Sequence, residues 1–208
     1  MKIEVFIDSM MQENSYIYYD EKTLDAVAID PALCLEKEIR FIKKKNLNLK
    51  YIMLTHAHAD HIADVEGLKK ETGAKVVANK DEKEMLLDEK KNLSCDFYDK
   101  GIEIDADIYV SEGDEIKLGD HVFTFINTPG HTAGGMCIVN EKVVFTGDTL
   151  FEGSIGRTDL YGGDYAKMLN SLGKLSELDD SMVIYPGHGK ASTIGAEKKS
   201  NYYMNLVN

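Results

Sequence analysis

The sequence has 208 residues, 43% hydrophobic and 29% charged, an ordinary globular composition with no low-complexity tract. Acidic residues outnumber Lys and Arg 36 to 24, for a formal charge of −12, whereas gripping a phosphate backbone needs clustered base; nucleic acid is therefore disfavoured as a partner. No window approaches the roughly 18 apolar residues of a membrane span, and MKIEVFIDSM lacks the basic-then-apolar order of a secretory leader, so a cytoplasmic protein without membrane association is expected.

The length suits one α/β domain over residues 1–208, and no Pro/Gly/Ser-rich linker divides it. KIEVFI, NSYIYYD and DAVAID are short β-rich runs. LEKEIRFIKKKN, with Leu35, Ile39 and Ile42 on one face, predicts a helix, and KYIMLT (Lys50–Thr55) predicts a strand that ends where the first histidine stands. Beyond His61, residues Ile62, Val65 and Leu68 recur every third position and Gly73 stands where a helix-capping glycine would, predicting one helix of about three turns. A short strand over Val76–Asn79, an acidic helix over Asp81–Leu87 and an irregular stretch from Asn92 to Asp107 follow; that stretch carries little legible chemistry. From Glu115 the runs EIKL, HVFTFIN, MCIVN and KVVFT alternate with tight turns. A helix over Asp164–Leu178, the strand MVIYP and a last helix over Gly195–Leu206 close the chain. Strands followed by helix, twice over, predict two β-rich layers that face one another under helical covers.

Cys34, Cys95 and Cys137 have neither the paired spacing of a zinc ribbon nor that of a disulfide framework, and Cys137 in MCIVN reads as a small buried hydrophobe. Chemistry concentrates instead in THAHADH, which holds three of the six histidines. His56 and His58 lie two apart, so in an extended segment both imidazoles point to one side and can grip one ion. Asp60 and His61 follow the next bend and face a second. Imidazole and carboxylate are the donors of catalytic rather than structural zinc, which favours thiolate. Three more ligand-type side chains stand directly after apolar strands: His131 in TPGHTAGG, Asp148 in VVFTGD and His188 in YPGHGK. Glycines there allow sharp turns that bring a side chain inward at a sheet edge. His121, at a strand start after Gly119 and Asp120, reads as a solvated turn residue.

Taken in order, THAHADH, PGHT, GDTLF and PGHG resemble the metallo-β-lactamase fold hydrolases over essentially the whole chain, and GDTLFEGSIGRTDLYGG is most similar to the glyoxalase II (hydroxyacylglutathione hydrolase) group. The resemblance implies a four-layer αβ/βα sandwich, two mixed β-sheets flanked by helices, with metals at one edge between the sheets. It implies a dinuclear site, with His56, His58 and His131 on the first ion, Asp60, His61 and His188 on the second, and Asp148 bridging both. Zinc suits these donors best, although iron and manganese accept them too. Two divalent ions sharing a water would bring its pKa toward neutrality, supplying a bridging hydroxide that Asp60 orients as a catalytic residue. The implied substrate is a small acyl-thiol such as S-lactoylglutathione, because a thiol of pKa about 8.5 leaves with little acid help.

Substrate contacts are assigned to Arg157, Tyr161 and Lys190, with an internal pair of Arg157 with Asp159 or Asp164 as the competing reading. Tyr202 and Tyr203 read either as an aromatic wall or as helix-edge packing. Larger glyoxalase II enzymes carry a C-terminal basic helical region; here the candidates after His188 are Lys190, Lys198 and Lys199. In the QENSY run, Asn14 is expected to bond backbone. Two alternatives share the motifs. One is a mononuclear-iron persulfide dioxygenase using His56, His131 and Asp148, and the other is a non-catalytic metal-binding protein of the same fold. Flavodiiron-type proteins carry glutamate where this chain has His58. A β-lactamase fits poorly with the absence of a leader, and a nuclease with the charge.

Overall fold

Every residue of the run NSYIYY is buried, which an alternating strand achieves only when both faces of its sheet are covered. In the computed structural model, which describes residues 1–207, this run is β2 (Asn14–Tyr19). It lies between β1 (Lys2–Ile7) and β3 (Asp25–Ile29) in a six-stranded sheet continued by β4 (Asn48–Met53), β5 (Lys75–Asn79) and β6 (Ile108–Val110). The first three strands are antiparallel neighbours and the last four are parallel, as their helical crossovers require. The crossovers hold α1 (Leu35–Lys45), α2 (Ala59–Ile62), α3 (Val65–Thr72), α4 (Lys83–Leu86) and α5 (Ser94–Phe97).

The second sheet also has six strands, β7 (Glu115–Leu118), β8 (His121–Asn127), β9 (Met136–Asn140) and β10 (Val143–Gly147), a hairpin of β11 (Leu150–Phe151) and β12 (Ser154–Ile155) standing apart, then β13 (Val183–Pro186) and β14 (Ser192–Thr193). It is mixed, since β10 and β13 run parallel while the other neighbours are antiparallel. Its helices are α6 (Tyr165–Ser176) and α7 (Ile194–Ser200).

Period-two alternation sorts each strand between two layers. Ile17 and Tyr19 of β2, with Ala26 and Ala28 of β3, pack under the helices, while Tyr16, Tyr18, Val27 and Ile29 face the other sheet. On that sheet Phe123, Phe125, Ile138 and Phe145 face inward, whereas Cys137, Val144 and Ile184 meet α6 and α7. The layers therefore stack helix, sheet, sheet, helix. Edge-on aromatic contacts lock the middle, with Tyr16 and Phe145 rings 5.3 Å apart and Tyr18 and Phe123 rings 6.0 Å apart. Both tyrosine hydroxyls cross the interface, Tyr16 donating to the Pro186 carbonyl at 2.6 Å and Tyr18 to Asn140 Oδ1 at 2.9 Å.

The helix expected after His61 is broken in two. Asp64 sits at the break, where its Oδ2 accepts from the Cys34 and Leu35 backbone at 2.6 and 2.7 Å and satisfies free donors at the start of α1. Ile62, Val65 and Leu68 are all buried nonetheless, so the periodicity had the correct face. The acidic helix is a 3-10 turn plus the single turn of α4, and the last helix stops at Ser200. Strands β6, β11, β12 and β14 are too short to leave a periodic signal. No helix among the described residues is long and apolar enough to cross a membrane.

Candidate metal centre

Four of the strands that carry ligand-type side chains run the same way in their sheets, so their C-terminal ends collect at one edge of the sandwich. His56 follows β4, His131 follows β8, Asp148 follows β10 and His188 follows β13. The two edges are tied at this point by a bond from the Met136 amide to the Thr55 carbonyl at 2.9 Å. Loops leaving strand ends are where open α/β sheets place their ligands.

The turns are tight for a steric reason. A Cβ on Gly187 would stand 2.6 Å from Cε1 of His61 and against Oδ1 of Asp148, so only glycine lets the His188 turn close over them. Gly130 has φ of +145° and passes 2.5 Å, at its would-be Cβ, from the Cα of Met168 in α6.

The result is two donor groups. His56, His58 and His131 offer ligand atoms within 4.8 Å of one another, as do Asp60, His61 and His188. Asp148 lies between them, with Oδ1 3.4 Å from Nε2 of His61 and Oδ2 3.4 Å from Nε2 of His131. Oδ2 of Asp60 is 3.3 Å from Nε2 of His188.

Hydrogen bonds behind the rings set their tautomers. Thr55 Oγ1 donates to Asp30 at 2.6 Å and so accepts from Nδ1 of His56 at 3.1 Å. Nδ1 of His61 donates to Asp30 at 3.0 Å, that of His131 to the Arg157 carbonyl at 2.7 Å and that of His188 to the Gln12 carbonyl at 3.2 Å. Four Nε2 atoms are thereby left to face the centre. His58 turns the other way, with Nδ1 2.8 Å from Nε2 of His131. Nε2 of His56, Nε2 of His61 and Oδ1 of Asp148 are buried without a hydrogen-bond partner. Orphaned nitrogen and oxygen donors that converge in this way fit divalent metal, and the absence of sulfur suits a catalytic rather than structural ion.

Electrostatically the floor has two halves. Burial, reinforced by neighbouring imidazoles, pushes His56 well below the usual histidine range, and burial with His131 beside it brings His58 down to about 3. For His61 burial opposes the charged form, but Asp60 and Asp148 outweigh it and raise its pKa well above the ordinary value. His188 is raised against burial by Asp60 and Asp148. Asp60 and Asp148 are held low, burial opposing and His61 prevailing. Neutral imidazole, the ligating form, is thus favoured at His56 and His58 before any ion binds.

The profile of the metallo-β-lactamase superfamily matches residues 10–188. The chain belongs to that superfamily. It is 37% identical to the hydroxyacylglutathione hydrolase GloC of Haemophilus influenzae, over 99% of this chain and 99% of that one. Among solved structures it resembles the BLEG-1 B3 metallo-β-lactamase, with a TM-score of 0.91, 32% identity and coverage of 98% of this chain and 99% of that one. ETHE1 from Myxococcus xanthus is similar with a TM-score of 0.83 and 32% identity, over 97% of this chain and 84% of that one. These likenesses make the chain a hydrolytic enzyme of the metallo-β-lactamase superfamily, related to the glyoxalase II group.

Over this superfamily floor opens a cleft of about 430 Å³, walled by Met11, Leu93, Phe97, Leu160, Asp96 and Arg157. Arg157 is held bidentately by Asp159, Nε at 2.7 Å and Nη2 at 2.8 Å. Tyr161 and Lys190 are not among the residues lining the cleft; Tyr161 carries the Lys91 ammonium 5.2 Å above its ring. Tyr202 is exposed with its ring against that of Tyr203, 5.4 Å away, so the pair packs at the helix edge. His121 is no free turn residue, since its Nδ1 lies 2.6 Å from Glu141 and its Nε2 3.4 Å from Asp20. Asn14 does bond backbone, donating to the Pro186 and Gly189 carbonyls at 3.1 and 2.9 Å on either side of His188.

Several supporting residues leave little trace in the sequence. Asp30 forms a third close group with His56 and His61, but its oxygens are taken by the Thr55 amide, the Thr55 hydroxyl and His61, which makes it a support for ligands. Its one signal is its position at the end of β3, like Asp148 at the end of β10. Buried Glu82 accepts from the Ala57 amide at 2.9 Å and the Gly134 amide at 2.7 Å, joining the THAHADH segment to the His131 turn. Glu13 is fully buried, with Oε1 3.7 Å from Nδ1 of His61 and neither oxygen hydrogen-bonded. The stretch after Asn92 forms a wall of the cleft through Leu93, Asp96 and Phe97, contrary to the expectation that it carried little chemistry.

Proposed function

We propose that the chain, acting as one domain, hydrolyses thioesters of a small acyl-thiol such as S-lactoylglutathione with the help of two divalent metal ions, zinc first among them. The observation that carries this reading is the pair of three-residue donor groups on either side of Asp148, with Nε2 of His56, of His58 and of His61 and Oδ1 of Asp148 buried without a hydrogen-bond partner. His56, His58 and His131 would hold one ion, Asp60, His61 and His188 the other, and Asp148 both. When bound, the ions lower the pKa of a shared water and polarise the carbonyl under attack.

The protein's own contributions follow from the geometry. Asp30, the Arg157 carbonyl and the Gln12 carbonyl hold the imidazole rings by their outer nitrogens, so the donor geometry is set beforehand. Asp60, held anionic at the cleft floor, is placed to accept a hydrogen bond from the attacking group and so would orient it. Among the described residues no serine or cysteine lines the cleft, and burial pushes the Cys137 thiol up to about 12, so a serine or cysteine acyl-enzyme has no nucleophile there. A departing thiolate needs little help from a general acid. Unpaired Cys34, Cys95 and Cys137 fit a reducing, cytoplasmic setting.

Likeness to ETHE1 supports a second reading, an iron-dependent persulfide dioxygenase built on His56, His131 and Asp148. The deciding experiment is thiol release from S-lactoylglutathione by protein of verified metal content, with and without chelator. Chelator-sensitive release is expected; its absence, with oxygen uptake on glutathione persulfide, would establish the second reading instead.

A further inference from the structure

The substrate portion that occupies the cleft mouth meets residues outside the donor groups. Five of them, Met11, Ala59, Leu93, Phe97 and Leu160, are apolar. Phe97 is 51% exposed, and a group that covered its ring would remove that surface from water.

This wall is a built feature. Leu93 adopts φ of +68°, a left-handed conformation that is costly for a branched side chain and persists where its surroundings enforce it. The neighbouring Asn92 is buried; its carbonyl accepts from the Ala59 amide at 2.9 Å, and its side chain donates to the Ile102 carbonyl at 2.8 Å while accepting from the Ser94 amide at 2.9 Å. The wall is thereby fastened to α2, the element that carries Asp60 and His61.

Charge at the mouth points the same way. Arg157 is the one Lys or Arg lining the cleft among the described residues, and both oxygens of Asp159 pair with it. Asp96 adds a carboxylate whose one polar contact is a thiol 3.9 Å away. Lys198 is engaged by Asp180 at 2.8 Å, and neither it, Lys190 nor Lys199 lines the cleft. A glutathione moiety would bring two carboxylates and one ammonium, an anion overall, to a mouth that offers one paired guanidinium and an opposing acid.

We infer that, among thioesters, the cleft prefers those whose thiol portion is uncharged and turns over the anionic glutathione ester more slowly. The inference rests on the thioesterase reading and names its substrate class. Asp96 acts as a repulsive element and Phe97 as an attractive one, the two halves of a specificity device.

The test compares lactoyl esters of glutathione and of N-acetylcysteamine, which share an acyl group and differ in charge. With metal-loaded enzyme, kcat/KM for the uncharged ester is expected to be at least about tenfold higher, with the difference mainly in KM. Asp96→Lys narrows the gap by about tenfold through the glutathione ester alone, and Phe97→Ser narrows it through the uncharged ester alone. Both positions are exposed, so circular dichroism should show the native fold. Equal or better turnover of the glutathione ester by the unmodified enzyme would overturn this selectivity and leave the thioesterase reading standing. Hydrolysis of neither ester would overturn the thioesterase reading itself, and the selectivity with it.

Discussion

Oδ2 of Asp30 lies 3.0 Å from Nδ1 of His61, and the same oxygen receives the Thr55 hydroxyl that supports His56. One carboxylate therefore orients a histidine in each of the two donor groups. Asp30→Asn preserves volume but replaces one acceptor oxygen by a donor that opposes these protons. Metal affinity should fall by about 10- to 100-fold, the usual cost of losing a supporting carboxylate. Elemental analysis after dialysis against graded metal buffers measures this independently of turnover; unchanged affinity would remove Asp30 from the centre.

Glu82 joins two ligand-bearing segments through their backbones, and burial raises its pKa although both amides favour the anion. Glu82→Gln leaves one oxygen and places an amide donor against an N–H. Denaturant titration should show a loss of about 1–3 kcal/mol, the cost of a buried donor without its acceptor. Glu82→Asp, too short to reach both amides, should do the same.

Asn14 holds the carbonyls of Pro186 and Gly189, and its own amide donates to Gly187 at 2.7 Å. Asn14→Ala would free the His188 turn while leaving its imidazole intact. One of the two ions should be lost preferentially, seen as a metal content that falls toward half at limiting supply, with stability lowered by about 1–3 kcal/mol.

Under the helical layer, Glu38 of α1 is completely buried and hydrogen-bonded by Ser15 of β2. Burial raises its pKa to about 7 from an ordinary 4.5. Between those values the folded chain keeps a proton that the unfolded chain has released, so stability is full below pH 4.5 and falls as pH rises toward 7. The loss is about 3 kcal/mol. Glu38→Gln should remove this component, so the variant gains on the parent between pH 5 and pH 8 in parallel denaturant titrations. Parallel curves would show that Glu38 is ionised in the fold throughout.

The two-sheet architecture was legible because β2, β3, β8 and β10 are short β-rich runs bounded by turns, and the donors stood in recognisable places, four of them in THAHADH at the end of an apolar run and His131, Asp148 and His188 beside glycine after apolar strands. Asp30, Glu82 and Glu13 were not legible. Which acid in KDEKE is buried depends on the distant Ala57 and Gly134 amides, and nothing in the local pattern encodes them. Likewise Leu93 and Phe97 look like loop residues until α2 is seen to anchor them. His121 looked solvated because its partners, Asp20 and Glu141, are remote in sequence.

The donors are divided between the sheets: His56, His58, Asp60 and His61 come from the first half of the chain, and His131, Asp148 and His188 from the second. Neither candidate group is complete within one half. During refolding, tight ion capture must therefore wait until the halves have docked, and the rate of metal uptake becomes a clock for the last stage of assembly rather than a seed for the first.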